Sequence, residues 1–135
     1  MKINKIIICL VIFIFVGINA DAANIAVFLK VRGQTGLEDE FKEIATKEFL
    51  KYPMVQVVDN KEESHLYLEF TMVEQDPIKL YAVGVAISYH IKDDFYSRPM
   101  SDVAQFGRER MNDICEFLVQ EIDKAFLVPL RTPIE

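Results

Sequence analysis

The sequence predicts an α+β domain of element order β-α-β-β-β-α, a mixed four-stranded sheet with two amphipathic helices packed on one face. Three observations predict it. Residues 65–74, "HLYLEFTMVE", and 78–91, "IKLYAVGVAISYHI", alternate side chains at the two-residue strand period. Leu37, Phe41, Ile44, Ala45 and Phe49 recur at three- and four-residue spacing, the helix period. A second stripe of Val103, Phe106, Met111, Ile114, Cys115, Leu118, Ile122 and Phe126 predicts a longer helix over 102–127.

Taken in order, residues 1–22 form a leader. Lys2 and Lys5 precede an apolar run at 6–18, and Ala20 and Ala22 supply small residues at the −3 and −1 positions. That is the pattern of a secretory signal peptide cleaved after Ala22. A retained anchor is the competing reading, but the apolar run falls short of the roughly 20 residues that cross a bilayer. Cys9 lies inside the run, away from any small-residue cleavage point, so a lipid-modified cysteine is not expected.

The domain is expected over 23–127. Its first strand is 24–31, with Ile25, Val27, Leu29 and Val31 on one face and Ala26, Phe28 and Lys30 on the other. "RGQTG" breaks it, and Thr35 with Glu38 makes a T-x-x-E capping box that should open a helix ending before Pro53. "VQVVD" at 55–59 reads as a short strand and "NKEES" as a polar turn. Leu66, Leu68, Phe70 and Met72 then oppose Tyr67, Glu69, Thr71 and Val73. In the next strand Tyr81, Val83, Val85 and Ile87 oppose Ala82, Gly84, Ala86 and Ser88. "KDDFYSRPMS" reads as a turn before the last helix, and two prolines make 128–135 an irregular tail. A βαβ start requires a parallel pair, and the two long strands a hairpin.

The chain carries 15 basic and 21 acidic residues, a formal charge of −6, with no basic cluster. That balance argues against nucleic acid and anionic membrane surfaces as partners. Cleavage removes Cys9 and leaves Cys115 alone, so no intramolecular disulfide is expected. Cys115 lies in the helical stripe, where a thiol behaves as a small apolar group.

The element order resembles the amino-terminal domain of the periplasmic TolB type, and the related soluble domains of curli-secretion and penicillin-binding-protein-activator lipoproteins. The matching residues are "IAVFLKV", "VQVVD" and "ESHLYLEF". The glycine usual after the third strand's opening is absent, as is a lipobox. The resemblance implies an envelope protein-interaction module with no chemistry of its own.

Catalytic signatures are missing. No G-x-S-x-G, P-loop or phosphate-binding glycine spacing occurs. His65 opens a strand after a polar turn, as a cap residue would. His90 with Asp93 and Asp94 is the best available candidate for a mixed N/O metal set, although Asp-Asp also suits a solvated turn. Glu38, Asp39, Glu40 and Glu43 suit a helix N-terminus without further role. Glu69 sits mid-strand on the face away from the core, between Tyr67 and Thr71.

If the larger side chains lie under the helices, facing residues of the hairpin sum to an odd number, for example 153. Tyr67 then meets Ala86, Glu69 meets Gly84 and Thr71 meets Ala82. The other face is expected to be a shallow floor of Gly84, Ala86 and Thr71, flanked by Phe28 and Tyr67, with Ser88 and His90 at one end. The expected function is an exported, non-enzymatic interaction domain with no cofactor and no membrane span after cleavage. Its partner would be an envelope protein or a second copy. The alternative is a small-ligand or metal-binding domain using His90, Asp93, Asp94 and Glu69. A small hydrolase built from the acids and tyrosines is the third class.

Overall fold

The computed structural model describes residues 24–75, 77–91 and 94–131, with backbone alone for 91 and 94–102. The expected leader at 1–22 and the last residues of the tail lie outside the described residues. Strands β1 (Ile25–Arg32), β2 (Val55–Val58), β3 (Leu66–Gln75), β4 (Leu80–Ile91) and β5 (Asp94–Phe106) form one sheet in the order β2-β1-β3-β4-β5. β1 runs parallel to both β2 and β3, whereas β3–β4 and β4–β5 are antiparallel. The parallel start and the β3–β4 hairpin follow the pattern read from the residues.

Helix α1 (Glu38–Phe49) and helix α2 (Met111–Ile122) pack on the same side of the sheet and against each other. Beneath them lie Val27 and Leu29 of β1, Leu66, Leu68, Phe70 and Met72 of β3, and Val83, Val85 and Ile87 of β4. All are buried, as alternation requires when one face is covered. Phe41 of α1 and Phe70 of β3 meet with ring centroids 5.3 Å apart, a tilted aromatic contact at the centre of the layer.

The capping box forms, with the helix itself starting at Glu38. The Thr35 N–H and hydroxyl both donate to Glu38 Oε1 at 2.7 and 2.8 Å, and the Leu37 N–H donates to the Thr35 hydroxyl at 3.1 Å. Desolvation alone would raise the Glu38 carboxyl. The bonds from Thr35, with those from the Gly36 and Glu38 backbone, outweigh it and hold the carboxyl below the ordinary glutamate value.

Two expectations are corrected. The sheet has five strands among the described residues, not four: residues 94–106, read as a turn plus the start of a helix, are β5. Val103 and Phe106 are three apart, which suggested one helix face. On a strand an odd spacing sends two side chains to opposite faces, and Val103 is 66% exposed while Phe106 is 3% exposed. Pro99 disguised the strand further, but β5 is an edge, where a missing N–H is tolerated. Near Pro99 the register shifts between Gly84↔Val103 and Ala86↔Pro99, a bulge that also breaks the alternation.

The second correction is at the C-terminus. Helical backbone continues past Leu127, first as a wide π-turn over Asp123–Leu127 and then as α3 (Val128–Arg131). Pro129 supplies no N–H to the preceding turn, and a widened turn accommodates that loss without ending the helix. Arg131 reaches back to the carboxylate of buried Asp123 through both terminal nitrogens, and its guanidinium lies 5.9 Å from the Tyr52 ring centroid. This pair closes the C-terminal segment onto the end of α1.

Cys115 is fully buried, with Sγ 4.0 Å from the Phe41 carbonyl. Burial pushes its thiol up to about 12, with the nearby Glu48 carboxylate adding to the rise. The unfolded thiol ionises near 9, so the stability this burial contributes is complete below pH 9 and is lost as pH rises from 9 toward about 12. Native protein at pH 8 should therefore label slowly with iodoacetamide, and Cys115→Ala should cost about 1 kcal/mol in denaturant melts through a small cavity. Labelling as fast as in the unfolded chain would show the thiol to be accessible.

Candidate functional site

The face opposite the helices is built by the residues that strand parity excludes from the core. On β3 and β4 the register pairs Tyr67 with Ser88, Glu69 with Ala86, Thr71 with Gly84 and Val73 with Ala82. The faces are those expected, but facing residues sum to 155 and not 153, a slip of two residues. The hairpin explains it. A sum of 153 would require a two-residue turn at Asp76-Pro77: type I′ needs a positive φ at Pro77, which proline cannot adopt, and type II′ needs one at Asp76, a position that favours glycine. Gln75 pairs instead with Leu80, and Lys79 takes the left-handed conformation at φ 51°.

The floor is flat and largely uncharged. Thr71, Val73, Ala86, Val103 and Gln105 are exposed, and Ala82 and Gly84 are half-buried among them. A Cβ built on Gly84 would meet only Val103 Cγ2, at an ordinary 3.9 Å, so the position is open rather than overlaid by a neighbour. Ser88, expected at one end of the floor, is buried instead, beside Tyr67 on β3 and Ser97 on β5.

The β1 flank of this face carries a tight polar network. Phe28 and Tyr67 stack at 5.5 Å between centroids, and Lys61 Nζ lies 4.6 Å from the Tyr67 centroid on the ring face. The Tyr67 hydroxyl donates to Glu69 Oε2 at 2.5 Å, and Arg32 Nε lies 3.1 Å from Glu69 Oε1. Both carboxylate oxygens of Glu69 are thus engaged. Desolvation, followed by the hydrogen bond and charge of Glu69, pushes the Tyr67 phenol up to about 12. Arg32 completes this group, and its role was not foreseen. Parity places it on this face, but only the β1–β3 register, with Arg32 opposite Thr71, brings it to Glu69.

The two histidines act at a strand junction. His65 Nδ1 accepts the Ala26 N–H at 2.9 Å, the His65 carbonyl accepts the His90 N–H at 3.0 Å, and His90 Nδ1 lies 2.9 Å from the Ser64 carbonyl. These contacts tie β1, β3 and β4 together at one end. Of the metal set considered for His90, Asp93 lies outside the described residues and the Asp94 side chain is not described. Among the described residues no three His, Cys, Asp or Glu side chains are grouped to hold a metal ion.

No family model matches the chain, and no curated protein does. Solved structures do. TolB from Acinetobacter baumannii is similar at a TM-score of 0.57 and 7% identity, over 76% of this chain and 28% of that one. An uncharacterized protein is similar at 0.49 and 8% identity, over 80% of this chain and 92% of that one. A PelC dodecamer from Paraburkholderia phytofirmans is similar at 0.45 and 12% identity, over 75% and 83%. The architecture is therefore a TolB-like α+β fold, and this chain spans 28% of the length of the TolB chain it matches.

Gly84 provides a test of the floor. Because its Cβ position is open, Gly84→Ala should keep the fold and leave the melting temperature unchanged or slightly raised, through lower unfolded-chain entropy. A drop of several degrees in a thermal melt would show that something overlies the site.

Proposed function

We propose that this chain is an exported, non-enzymatic interaction domain that binds an envelope protein, or a second copy of itself, through the helix-free face of its sheet. One observation carries the reading. Thr71, Val73, Ala82, Gly84, Ala86, Val103 and Gln105 make a contiguous, uncharged, low-relief area across three strands. Val73 is 55% exposed and Ile78, in the adjoining turn, 64%. An apolar area of this kind is a site for a flat partner surface, not for a small molecule, which needs a concave cavity. Export rests on the basic, apolar and small-residue pattern of residues 1–22. The TolB-like fold fits a role in the cell envelope. No helix among the described residues is long and apolar enough to cross a membrane.

Ala86→Arg tests the surface. Its side chain is exposed, so the variant should fold with a near-normal melt while losing association in size-exclusion chromatography against envelope extract or at high self-concentration. An unfolded variant would mean that the face is core, and a folded variant with unchanged association would remove it as the binding surface. Export is tested separately by intact mass, with a mature chain beginning at or near Ala23 expected. Exported protein still carrying residues 1–20 would move it to the anchored class.

A further inference from the structure

β2 is shorter than its neighbour. Its last residue, Val58, stands opposite Phe28, whereas β1 runs on to Arg32 beside β3. From Leu29 onward β1 therefore has no strand on its outer side among the described residues. The backbone there faces outward in a defined pattern. The Ile25 N–H donates to the Met54 carbonyl on the β2 side at 2.6 Å, and the Ala26 carbonyl accepts the His65 N–H on the β3 side at 2.8 Å. Successive residues of a strand alternate sides, so the polar groups of Val31 point to the open edge.

A notch of about 580 Å³ lies along this stretch, with the first turns of α1 on one side and the Tyr67 network on the other. Its rim is locally basic in a chain of net charge −6. Lys30, Lys42 and Lys61 line it, and Lys30 and Lys42 make no ion pair with any described residue. The acids beside them are mostly committed: Glu38 to the capping bonds, Glu69 to Tyr67 and Arg32. Asp39 is the remaining acid of the lining.

We propose that the outer edge of β1 at Leu29–Arg32 receives an extended, acidic peptide strand from a partner protein, adding a strand to the sheet. Main-chain bonds to Val31 supply register, and alternate side chains of the incoming strand pass Lys30 and Lys61 on the open face and Lys42 on the helix face. Carboxylates on one face of that strand meet Lys30, or on the other face Lys42, neither of which makes an ion pair with any described residue. This site is separate from the flat face around Gly84 and does not need that face to bind.

The test uses protein purified after expression of the full chain, with fluorescein-labelled eight-residue peptides of alternating Val and Glu, or Val and Lys, followed by anisotropy at low salt. The Glu peptide should bind, weaken with added salt, and lose binding when its alternate backbone nitrogens are methylated. The Lys peptide should bind at least about tenfold more weakly, and the double variant Lys30→Glu/Lys42→Glu should weaken the Glu peptide about tenfold. Val31→Pro removes an edge N–H that no described strand of this sheet uses, so it should still fold, with a lowered melting temperature because Val31 packs against the core, and bind poorly. Bound Glu peptide should slow amide exchange at Val31. Ala86→Arg should leave peptide binding intact, which separates this site from the flat face. The proposal is overturned if the Glu peptide does not bind, if the charge-reversed variant binds it equally, or if the protected amides lie away from β1.

Discussion

Everything else in this fold depends on the two-residue period of its strands meeting a cover on one side only. α1 and α2 shield a single face, so each strand must send its large apolar side chains that way and leave the rest to water. Val27 and Leu29, Leu66 to Met72, and Val83 to Ile87 satisfy this together. A slip of one residue in any central pairing would bury Glu69 and expose Phe70, a cost no local contact offsets. A slip of two residues preserves every face. That is why the hairpin turn, and not the core, decides which residues stand opposite each other.

The same constraint shapes the surface. With the large side chains turned inward, the outward side of β4 is left with Ala82, Gly84 and Ala86, and the floor is flat because the core claimed the bulk. Polarity gathers at the β1 flank, where Glu69 receives the Tyr67 hydroxyl and pairs with Arg32. A carboxylate held from both sides is a positioning element for its neighbours more than a free charge, and it stiffens the Phe28–Tyr67 stack at the border of the floor.

The sheet's two edges are handled differently. β5 carries Pro99 and a bulge, two features that discourage another chain from pairing with an edge. β1 is covered by β2 only as far as Phe28, and the segment beyond it is bordered by lysines. Edge lysines repel other cationic strands while still admitting an acidic one, so protection and selectivity come from the same residues. At the opposite end, His65 and His90 close the junction of β1, β3 and β4 through backbone bonds.

Local patterning alone determined the first four strands, the capping box of α1, the buried stripe around Cys115 and the face on which Tyr67, Glu69 and Gly84 lie. Each of these depends on residues close together in the chain or on a period that one element displays by itself. Tertiary structure decided the rest. β5 became a strand because β4 offered it a partner, although Pro99 and the three-residue spacing of Val103 and Phe106 imitate a turn and a helix. The Arg32–Glu69 pair, the burial of Ser88 and the uncovered length of β1 depend on which strands lie side by side and where each one stops. Adjacency and strand ends are properties of the assembled sheet, set by pairing between distant segments, and no single segment encodes them.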